Sequence, residues 1–473
     1  MSRLSKSVDR TSRILSDAQL SSDQTVKELL AETTQRRRLD LSDMSAAEQA
    51  ALIGSRTLQA LPSVDAIRDR IVEAQAAGRP FVAKFGIDPT SPDVHVGHTV
   101  PMMILSRFQR MGHHVVFIVG DMTAKIGDPS GQSSERPALA DEEIAANLAT
   151  YRDQVSPYFD FERAEFRYNS EWLADVRLPQ LIRILAKIPA SMSLQREDFR
   201  NRLAQGHGLS MAELLYSVVM ALDSVETGCD LEIGGLDQLL NMQMCRKVME
   251  ACGQTPEIVV ATSLIEGTDG TGAKMSKSKG NYVGLRASAA EIYGRLMSIP
   301  DRLVEVYLKA LTEWTDHEIA VVAARQAQGS IHPMDLKRVL AGEVTAAVHG
   351  IHAAMEARAE FTAQFSRRSF GGVQSMPSIG PDALVEPLGV LLTERLGFLP
   401  SISEARRVAR GNGLRFVIEW DGEQDQIVLS EDAVYRTVPE LLESVSAASG
   451  QIGAVLYLKS GRKVARIDGV AVH

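Results

Sequence analysis

The chain has 473 residues, of which 45 % are hydrophobic and 23 % are charged, and its formal net charge is −9. This length exceeds a single hydrophobic core, so we expect two to four domains, and no apolar run approaches the ~18 residues of a membrane-spanning helix. The negative charge argues against a protein that coats nucleic acid indiscriminately, although local basic clusters can still bind RNA. The three cysteines are too few and too irregularly spaced for a disulfide framework or a zinc site.

The N-terminal part of the chain is polar. Residues 1–45 are rich in Ser, Asp, Arg and Gln, which predicts a mobile or loosely helical extension. The first residues lack the apolar core of a signal peptide, which favours a cytoplasmic location. The spacing of apolar residues over 46–77 then predicts amphipathic helices.

Short apolar strands alternate with helical patterns from residue 81 onward. The predicted strands are 81–87, 115–119, 166–168 and 258–264, and the predicted helices are 98–111, 178–188, 212–225 and 236–251. Buried strands that alternate with helices are typical of a parallel sheet with helical crossovers. Ligands bind such sheets at the carboxyl ends of the strands.

The remainder of the chain divides into a helical region, a linker and a region with both helices and strands. Residues 288–370 are mostly helical in pattern, and 371–383 reads as a Gly- and Pro-containing linker. Residues 384–410 predict two short helices. Two β-like runs, 455–458 and 463–467, flank Ser460-Gly461 and predict a hairpin.

Two short motifs about 180 residues apart carry the chemistry. His95-Val-Gly-His98 lies where a predicted strand gives way to a helix, and a helix N-terminus favours phosphate. Lys274-Met-Ser-Lys-Ser278 lies in a Gly-rich polar loop and supplies cations on flexible side chains. A lone His-x-x-His is more often structural, but the ordered pair predicts a nucleoside triphosphate held between a helix end and a cationic loop.

With further segments at 84–98, 120–131, 214–223 and 234–238, the chain resembles the class I aminoacyl-tRNA synthetases, specifically the bacterial tyrosyl branch, from Glu48 to the end. The resemblance implies a Rossmann-like parallel-sheet catalytic domain over 46–287 with a helical insertion near 165–215. It also implies a helical anticodon-binding domain over 288–370. After the linker, 384–473 is similar to a small α+β S4-like RNA-binding domain.

The reaction that the resemblance implies has two steps: attack of tyrosine on ATP, then transfer of the aminoacyl group to tRNA. No general base is needed, because the attacking carboxylate is already ionised at pH 7, so catalysis rests on positioning and charge stabilisation. Mg²⁺ is expected with the pyrophosphate. The expected partners are a tRNA of the tyrosine type and a second copy of the chain, with no membrane.

The resemblance also implies roles for individual residues. The expected catalytic residues are His95, His98, Lys274, Lys277, Ser276, Ser278 and Arg136. The expected ATP-binding residues are Gly86, Asp88, Gly97, Gly235, Asp237, Gln238, Met275 and Lys277. The expected amino-acid-binding residues are Lys84, Asp128, Tyr216, Met220, Asp223 and Gln238.

The chain departs from the family pattern at the amino-acid end. Met220 replaces a usual Gln, Leu222 a usual Tyr, Ser217 a Pro and Leu236 a small hydroxyl residue, and Lys84 stands where some members have Tyr. Three readings follow besides ordinary tyrosine activation. One is a specialised paralogue for a modified tyrosine or another amino acid, in translation or outside it. The others are a non-catalytic RNA-binding pseudo-synthetase and a small-molecule nucleotidyltransferase of the same superfamily.

Overall fold

The computed structural model describes residues 2–130, 139–194, 196–363, 376–411, 413–420, 423–444, 455–461 and 463–469. The chain divides into two compact units, Met1–Arg358 and Ala359–His473. Among the described residues, no helix combines the length and apolar character that crossing a membrane requires.

A six-stranded sheet forms the centre of the first unit. Its strands are β1 Gln59–Leu61, β2 Val82–Ile87, β3 His114–Val119, β4 Ala164–Tyr168, β5 Leu231–Gly235 and β6 Ile258–Thr262, in the order β1-β6-β5-β2-β3-β4. Strands β2 to β6 are parallel, and only β1 is antiparallel. The predicted parallel sheet is therefore confirmed. Since β3 lies on one side of β2 and β5 on the other, the connections diverge at β2, which is where such sheets bind ligands.

Two strands differ from the sequence-based expectation. β1 interrupts the region 46–77 that the spacing predicts as helical, because its backbone pairs with the distant β6. β5 was not predicted, since Leu231-Glu-Ile-Gly-Gly235 contains a glutamate and two glycines, which are poor strand formers. Both strands are stabilised by pairing to partners far away in sequence.

Helices surround the sheet and continue beyond it. They are α1 Arg3–Asp17, α2 Asp23–Arg36, α3 Ala46–Gly54, α4 Asp65–Ala76, α5 Val96–Arg110, α6 Asp141–Leu148, α7 Tyr151–Val155, α8 Ser170–Leu173, α9 Leu178–Leu185, α10 Ala190–Leu194, α11 Glu197–Ala204, α12 Met211–Thr227, α13 Leu239–Ala251, α14 Ala289–Met297, α15 Val304–Leu311, α16 Asp316–Ala327, α17 Pro333–His349 and α18 Ile351–Phe361. The helices predicted over 98–111, 178–188, 212–225 and 236–251 are confirmed with shifted ends.

The polar N-terminal segment forms two packed helices rather than a loose extension. Leu15 and Leu29 are fully buried, and Arg36, also fully buried, forms an ion pair of 2.8 Å with Glu318 in α16. Arg36 also donates to the carbonyl of Glu313 at 3.0 Å. The few apolar residues of this segment are diluted by polar ones in composition, yet they fall on one face of each helix and bury it.

The second unit contains a separate sheet. Its strands are β7 Ser378–Ile379, β8 Leu414–Trp420, β9 Glu423–Val428, β10 Val455–Ser460 and β11 Lys463–Ile467, in the order β7-β11-β10-β8-β9. Helices α19 Leu388–Val390, α20 Ile402–Arg410 and α21 Val438–Ser444 accompany it. The hairpin predicted around Ser460-Gly461 is confirmed, because β10 and β11 pair antiparallel up to Ser460 and Lys463 and Gly461 has φ 58°.

Candidate active site

The two histidines form the start of α5. His95 is the N-cap residue with extended backbone, and its Nδ1 accepts a hydrogen bond from the Gly97 N–H at 3.1 Å. Nδ1 of His98 accepts from the His95 N–H at 3.3 Å, and the two rings stack with centroids 3.7 Å apart. A Cβ on Gly97 would lie 2.9 Å from the His95 ring. Glycine therefore permits this ring to fold back over the helix end.

Both imidazoles are neutral near pH 7. Burial, reinforced by Lys277 and Lys274, lowers the pKa of His95 to about 3. Burial and the neighbouring His95 likewise hold the pKa of His98 well below its ordinary value. Since Nδ1 of each ring accepts a backbone hydrogen bond, the single proton of each ring is on Nε2. The pair therefore offers two neutral N–H donors that require no change of protonation to bind an anion.

The cationic loop is anchored by Met275. The Met275 N–H donates to the Ile265 carbonyl at 2.9 Å, and the residue as a whole is 1 % exposed. ATP binding by Met275 stays a prediction, and the structure shows this residue as the buried anchor of the loop. The anchor places Lys274 and Lys277 on either side of it, and burial lowers the pKa of Lys277 to about 8.

Further polar groups shape the same loop. Asn281 Oδ1 accepts from the Ser276 N–H at 2.9 Å, and the hydroxyls of Ser276 and Ser278 lie 3.4 Å apart. Lys274 contacts the carboxylate of Asp237. Asn281 was not singled out in the sequence, because its role depends on the closed shape of the loop.

The backbone joins the two motifs. The Val96 N–H donates to the Val283 carbonyl at 2.9 Å, and the Leu285 N–H donates to the Val94 carbonyl at 2.8 Å. The exit of the cationic loop thus pairs with the residues that lead into α5. The histidines and lysines consequently lie close enough together for both lysines to lower the pKa of His95. The structure brings together the two motifs that lie about 180 residues apart in sequence.

Asp88, after β2, connects the site to α12. Its carboxylate accepts from the Tyr216 hydroxyl at 2.9 Å and from the Thr123 hydroxyl at 2.7 Å. A Cβ on Gly120 would lie 2.0 Å from the Asp88 carboxylate. Burial and Asp88 raise the pKa of Tyr216 well above its ordinary value, so this hydroxyl stays protonated.

Asp128 is held by a hydrogen-bonded network. Its carboxylate accepts from Gln238 Nε2 at 2.8 Å and from Asn241 Nδ2 at 3.3 Å. Asn241 in turn accepts from Arg196 at 2.7 Å, and Arg196 also donates to Ser130 at 2.9 Å. Asn241 and Arg196 were missed in the sequence, since neither belongs to a recognisable motif.

Asp223, on α12, is a buried carboxylate with two side-chain donors. Trp172 Nε1 donates to it at 2.9 Å and Asn169 Nδ2 at 3.4 Å. Burial raises the pKa of Asp223 to about 7, against the opposing effects of Lys84 and of the two donors. Trp172 and Asn169 were also missed in the sequence, because they precede Asp223 by about fifty residues.

The other expected site residues have varied surroundings. Lys84 is 1 % exposed and its Nζ lies 2.6 Å from Glu232 in β5. Met220 lies four residues after Tyr216 on α12, half-buried against the apolar cluster that contains Val218 and Leu222. A Cβ on Gly86 would face open space, whereas a Cβ on Gly235 would lie 2.6 Å from the Asp237 carboxylate. Residue 136 lies outside the described residues.

Comparison with known proteins gives concordant matches. The family profile for class I tRNA synthetases of the W and Y type matches residues 76–366. The tyrosine–tRNA ligase of Geobacter sulfurreducens is 38 % identical over 79 % of this chain and 92 % of its own length. The tyrosine–tRNA ligase of Thermotoga maritima is 37 % identical, with coverages of 80 % and 94 %.

Solved structures show the same fold. A C-terminally truncated mitochondrial tyrosyl-tRNA synthetase of Aspergillus nidulans has a TM-score of 0.56 and 24 % identity, covering 72 % of this chain and 99 % of its own. A tyrosyl-tRNA synthetase of Archaeoglobus fulgidus complexed with L-tyrosine has a TM-score of 0.52 and 20 % identity, with coverages of 66 % and 99 %. At these identities the likeness shows the fold alone.

Proposed function

The chain belongs to the class I tyrosyl- and tryptophanyl-tRNA synthetase family, and from that premise we propose how its residues activate tyrosine and charge tRNA. Its curated bacterial relatives are tyrosine–tRNA ligases, and this chain is an enzyme of the same activity, with ATP as a substrate. The observation that carries the residue-level proposal is the backbone pairing of the segment before α5 with the exit of the cationic loop.

In the first step a tyrosine carboxylate oxygen forms a bond to the α-phosphorus of ATP, and the bond from that phosphorus to the bridging oxygen of pyrophosphate breaks. We assign His95 and His98 as Nε2–H donors to phosphate oxygens, and Lys274 and Lys277 as cations that meet the leaving pyrophosphate. Removal of one such donor costs about 3–4 kcal/mol of transition-state stabilisation. Ser276 and Ser278 add hydroxyl donors from the same loop.

In the second step a hydroxyl at the 3′ end of tRNA attacks the tyrosyl carbonyl, and AMP leaves. Mg²⁺ is proposed as a companion of the triphosphate. The two imidazoles and two ammonium groups offer no oxygen ligands, whereas Mg²⁺ prefers oxygen. Its ligands are therefore expected to be phosphate oxygens and water, so that the ion enters and leaves with the substrate.

We also assign the residues that bind the amino acid and the nucleoside part of ATP. Asp128 and Tyr216 are proposed to bind the α-ammonium group, and Asp223 to accept a hydrogen bond from the phenol hydroxyl. Asp237 and Gln238 are proposed to hold the ribose and the reacting carboxylate. Gly86, Gly97 and Gly235 keep space free for the adenylate, together with Asp88, and Arg136 is proposed to meet the pyrophosphate.

We further propose that the enzyme is a homodimer. The end of strand β4 and the helical insertion that follows it expose several large apolar side chains, which are Tyr168, Leu178, Ile182, Leu194, Leu203 and Met211. Exposed apolar side chains concentrated in one segment mark a protein interface, and a second copy of the chain would cover them. Ile182→Glu should lower the molar mass measured by light scattering, whereas Val306→Glu, at an exposed apolar residue outside the segment, should not.

The part of the chain from residue 288 onward is proposed to bind tRNA. We assign 288–370 to anticodon binding and 384–473 to an S4-like module, in which α20 carries Arg406, Arg407 and Arg410. These arginines, whose side chains are 43 to 75 % exposed, pair with half-buried Glu431 and Glu404. Ion pairs with an exposed member are worth little in water and leave the guanidinium groups available to phosphates. Because the substrates ATP and tRNA are cytoplasmic, we propose the same location for the enzyme.

ATP–pyrophosphate exchange across a panel of amino acids tests the assignment. We expect exchange with tyrosine to exceed exchange with phenylalanine, 3-substituted tyrosines and β-tyrosine, and to be followed by charging of tRNA. His98→Ala should reduce exchange by about 10²-fold or more. Exchange with a different member of the panel would instead indicate a specialised paralogue, and no exchange with any member would indicate a non-catalytic protein.

A further inference from the structure

A fully buried charged cluster lies between β2, β5 and the residue that precedes β6. Lys84 and Glu232 are directly paired residues of β2 and β5, and Lys84 Nζ lies 2.6 Å from Glu232 Oε1. Glu257, 0 % exposed, accepts at 2.7 Å from the thiol of Cys229. None of these side chains belongs to the ATP-binding end of the site.

Only one of the two buried carboxylates is ionised. Glu232 Oε2 and Glu257 Oε1 are both buried without a hydrogen-bond donor, and oxygens of these two groups lie within 4.8 Å of each other and of the Cys245 sulfur. Two ionised carboxylates beside one ammonium group would leave a net charge in the interior, which is costly. Burial and Glu232 raise the pKa of Glu257 well above its usual range. Glu257 is therefore the protonated partner, and Glu232 and Lys84 form the ion pair.

This arrangement also argues against a metal ion. Glu232, Cys245 and Glu257 have ligand types that could hold one, but the Lys84 ammonium already bonds Glu232 inside the cluster. A second cation would have to displace protons from both Glu257 and Cys245, and burial raises the pKa of that thiol. Lys84 thus supplies the positive charge of this cluster.

Asp223 lies within electrostatic reach of this cation. The groups that face Asp223 are Trp172 and Asn169 as donors, Lys84 as a cation, Glu232 as an anion and the protonated Tyr216. Burial raises the pKa of Asp223 to about 7, and Lys84 lowers it more than any other neighbour does. A carboxylate must be ionised to act only as an acceptor, since a protonated one offers an O–H in competition.

We propose that Lys84, fixed by Glu232 and Glu257, is a positioning and specificity-determining residue that keeps Asp223 ionised for the tyrosine hydroxyl without touching the substrate. The proposal rests on the proposed role of Asp223 as the hydroxyl acceptor. It replaces the expectation that Lys84 binds the amino acid directly. A site that hydrogen-bonds a substrate hydroxyl rejects the analogue without it strongly, and tyrosyl-tRNA synthetases are themselves the reference case, at about 10⁵ against phenylalanine.

The decisive variant is the double substitution Lys84→Met and Glu232→Gln. It removes the cation and its counter-ion together, so that no unpaired charge is left buried. Lys84 lowers the pKa of Asp223 more than Glu232 raises it, so removal of both raises this pKa; a smaller fraction of Asp223 is then ionised at pH 7, and tyrosine binding recovers only at higher pH. Since the pKa of Asp223 is already about 7, half of this group is ionised at pH 7, and a rise of one unit lowers the ionised fraction about fivefold. We therefore expect the KM for tyrosine at pH 7 to rise about fivefold and the acidic limb of kcat/KM to move to higher pH, with the KM for ATP unchanged.

Two comparisons make the result specific. Arg79→Met removes one of the two arginines that pair with Asp230, and Arg70 stays paired with it. Arg79 and Asp230 lie just before β2 and β5, the strands that carry Lys84 and Glu232. The Arg79→Met substitution should leave the pH profile unchanged even if the melting temperature falls. Lys84→Arg keeps the positive charge and should retain the wild-type acidic limb.

The outcomes separate the two claims. A folded double variant with the wild-type acidic limb and the wild-type preference for tyrosine over phenylalanine overturns the role of Lys84. A KM for tyrosine that rises equally at every pH overturns it as well, because it indicates packing alone. If Asp223→Asn keeps the preference for tyrosine, the role of Asp223 fails, and absence of exchange in the wild-type enzyme refutes the proposed function itself.

Discussion

Lys277 should impose an alkaline limit on ATP capture. Burial lowers its pKa from 10.5 to about 8, with a smaller opposing effect from Asp93. The ammonium group is therefore charged in about nine-tenths of free enzyme at pH 7 and in about one-tenth at pH 9. Since the charged form is the one proposed to meet the pyrophosphate, kcat/KM for ATP should fall about tenfold for each pH unit above about 8.

This fall in rate at alkaline pH, the alkaline limb of the profile, should move to higher pH once ATP is bound. The phosphates place negative charge beside Lys277, which favours the ammonium form and raises its pKa. The profile of kcat/KM reports the free enzyme and that of kcat the complex, so the limb in kcat should lie at higher pH. The measurement is ATP–pyrophosphate exchange at saturating tyrosine and varied ATP, from about pH 6.5 to 9.5.

Substitution of Lys277 tests whether its ammonium group causes the alkaline limb. Lys277→Arg keeps the positive charge throughout this range, so the alkaline limb should disappear even if the rate at pH 7 falls. Lys279→Arg, at the exposed lysine two residues further along the loop, is the matched control and should leave the limb in place. A limb that persists in Lys277→Arg belongs to another group and refutes the reasoning.

Two further predictions concern the packed N-terminal helices and the amino-acid pocket. Arg36→Ala leaves Glu318, whose side chain is 0 % exposed, without its ion partner, so urea unfolding should show a loss of about 3–5 kcal/mol. Arg36→Met combined with Glu318→Gln should recover most of it, and equal losses in both variants would contradict an ion-pair origin. Met220→Gln should lower the KM for tyrosine about tenfold or more, because a hydrogen bond to a charged group is worth about 1.5–3 kcal/mol. An unchanged KM would remove Met220 from the specificity argument.

The local patterns of the chain predicted much of its architecture. Alternation of apolar strands and helices indicated the parallel sheet, and Ser460-Gly461 indicated the hairpin, because the apolar pattern of each element and the turn residues are local features of the sequence. β5 could not be recognised by the same criterion, since Glu232 is acceptable in the interior only because it pairs with Lys84 on the neighbouring strand. The N-terminal helices were underestimated for a similar reason: their stability depends on Glu318, 282 residues from Arg36.

The amino-acid sequence by itself predicted which groups we propose to carry the chemistry, because a His-x-x-His motif at a helix start is recognisable when it is followed by a lysine-bearing, glycine-rich loop. Only the tertiary structure decided what those groups face. It provides the donors from Trp172 and Asn169 to Asp223 and the ion pair of Lys84 with Glu232, whose members are 51 to 148 residues apart. Burial and charge act through space, so the protonation of these side chains follows from the folded arrangement and not from their neighbours along the chain.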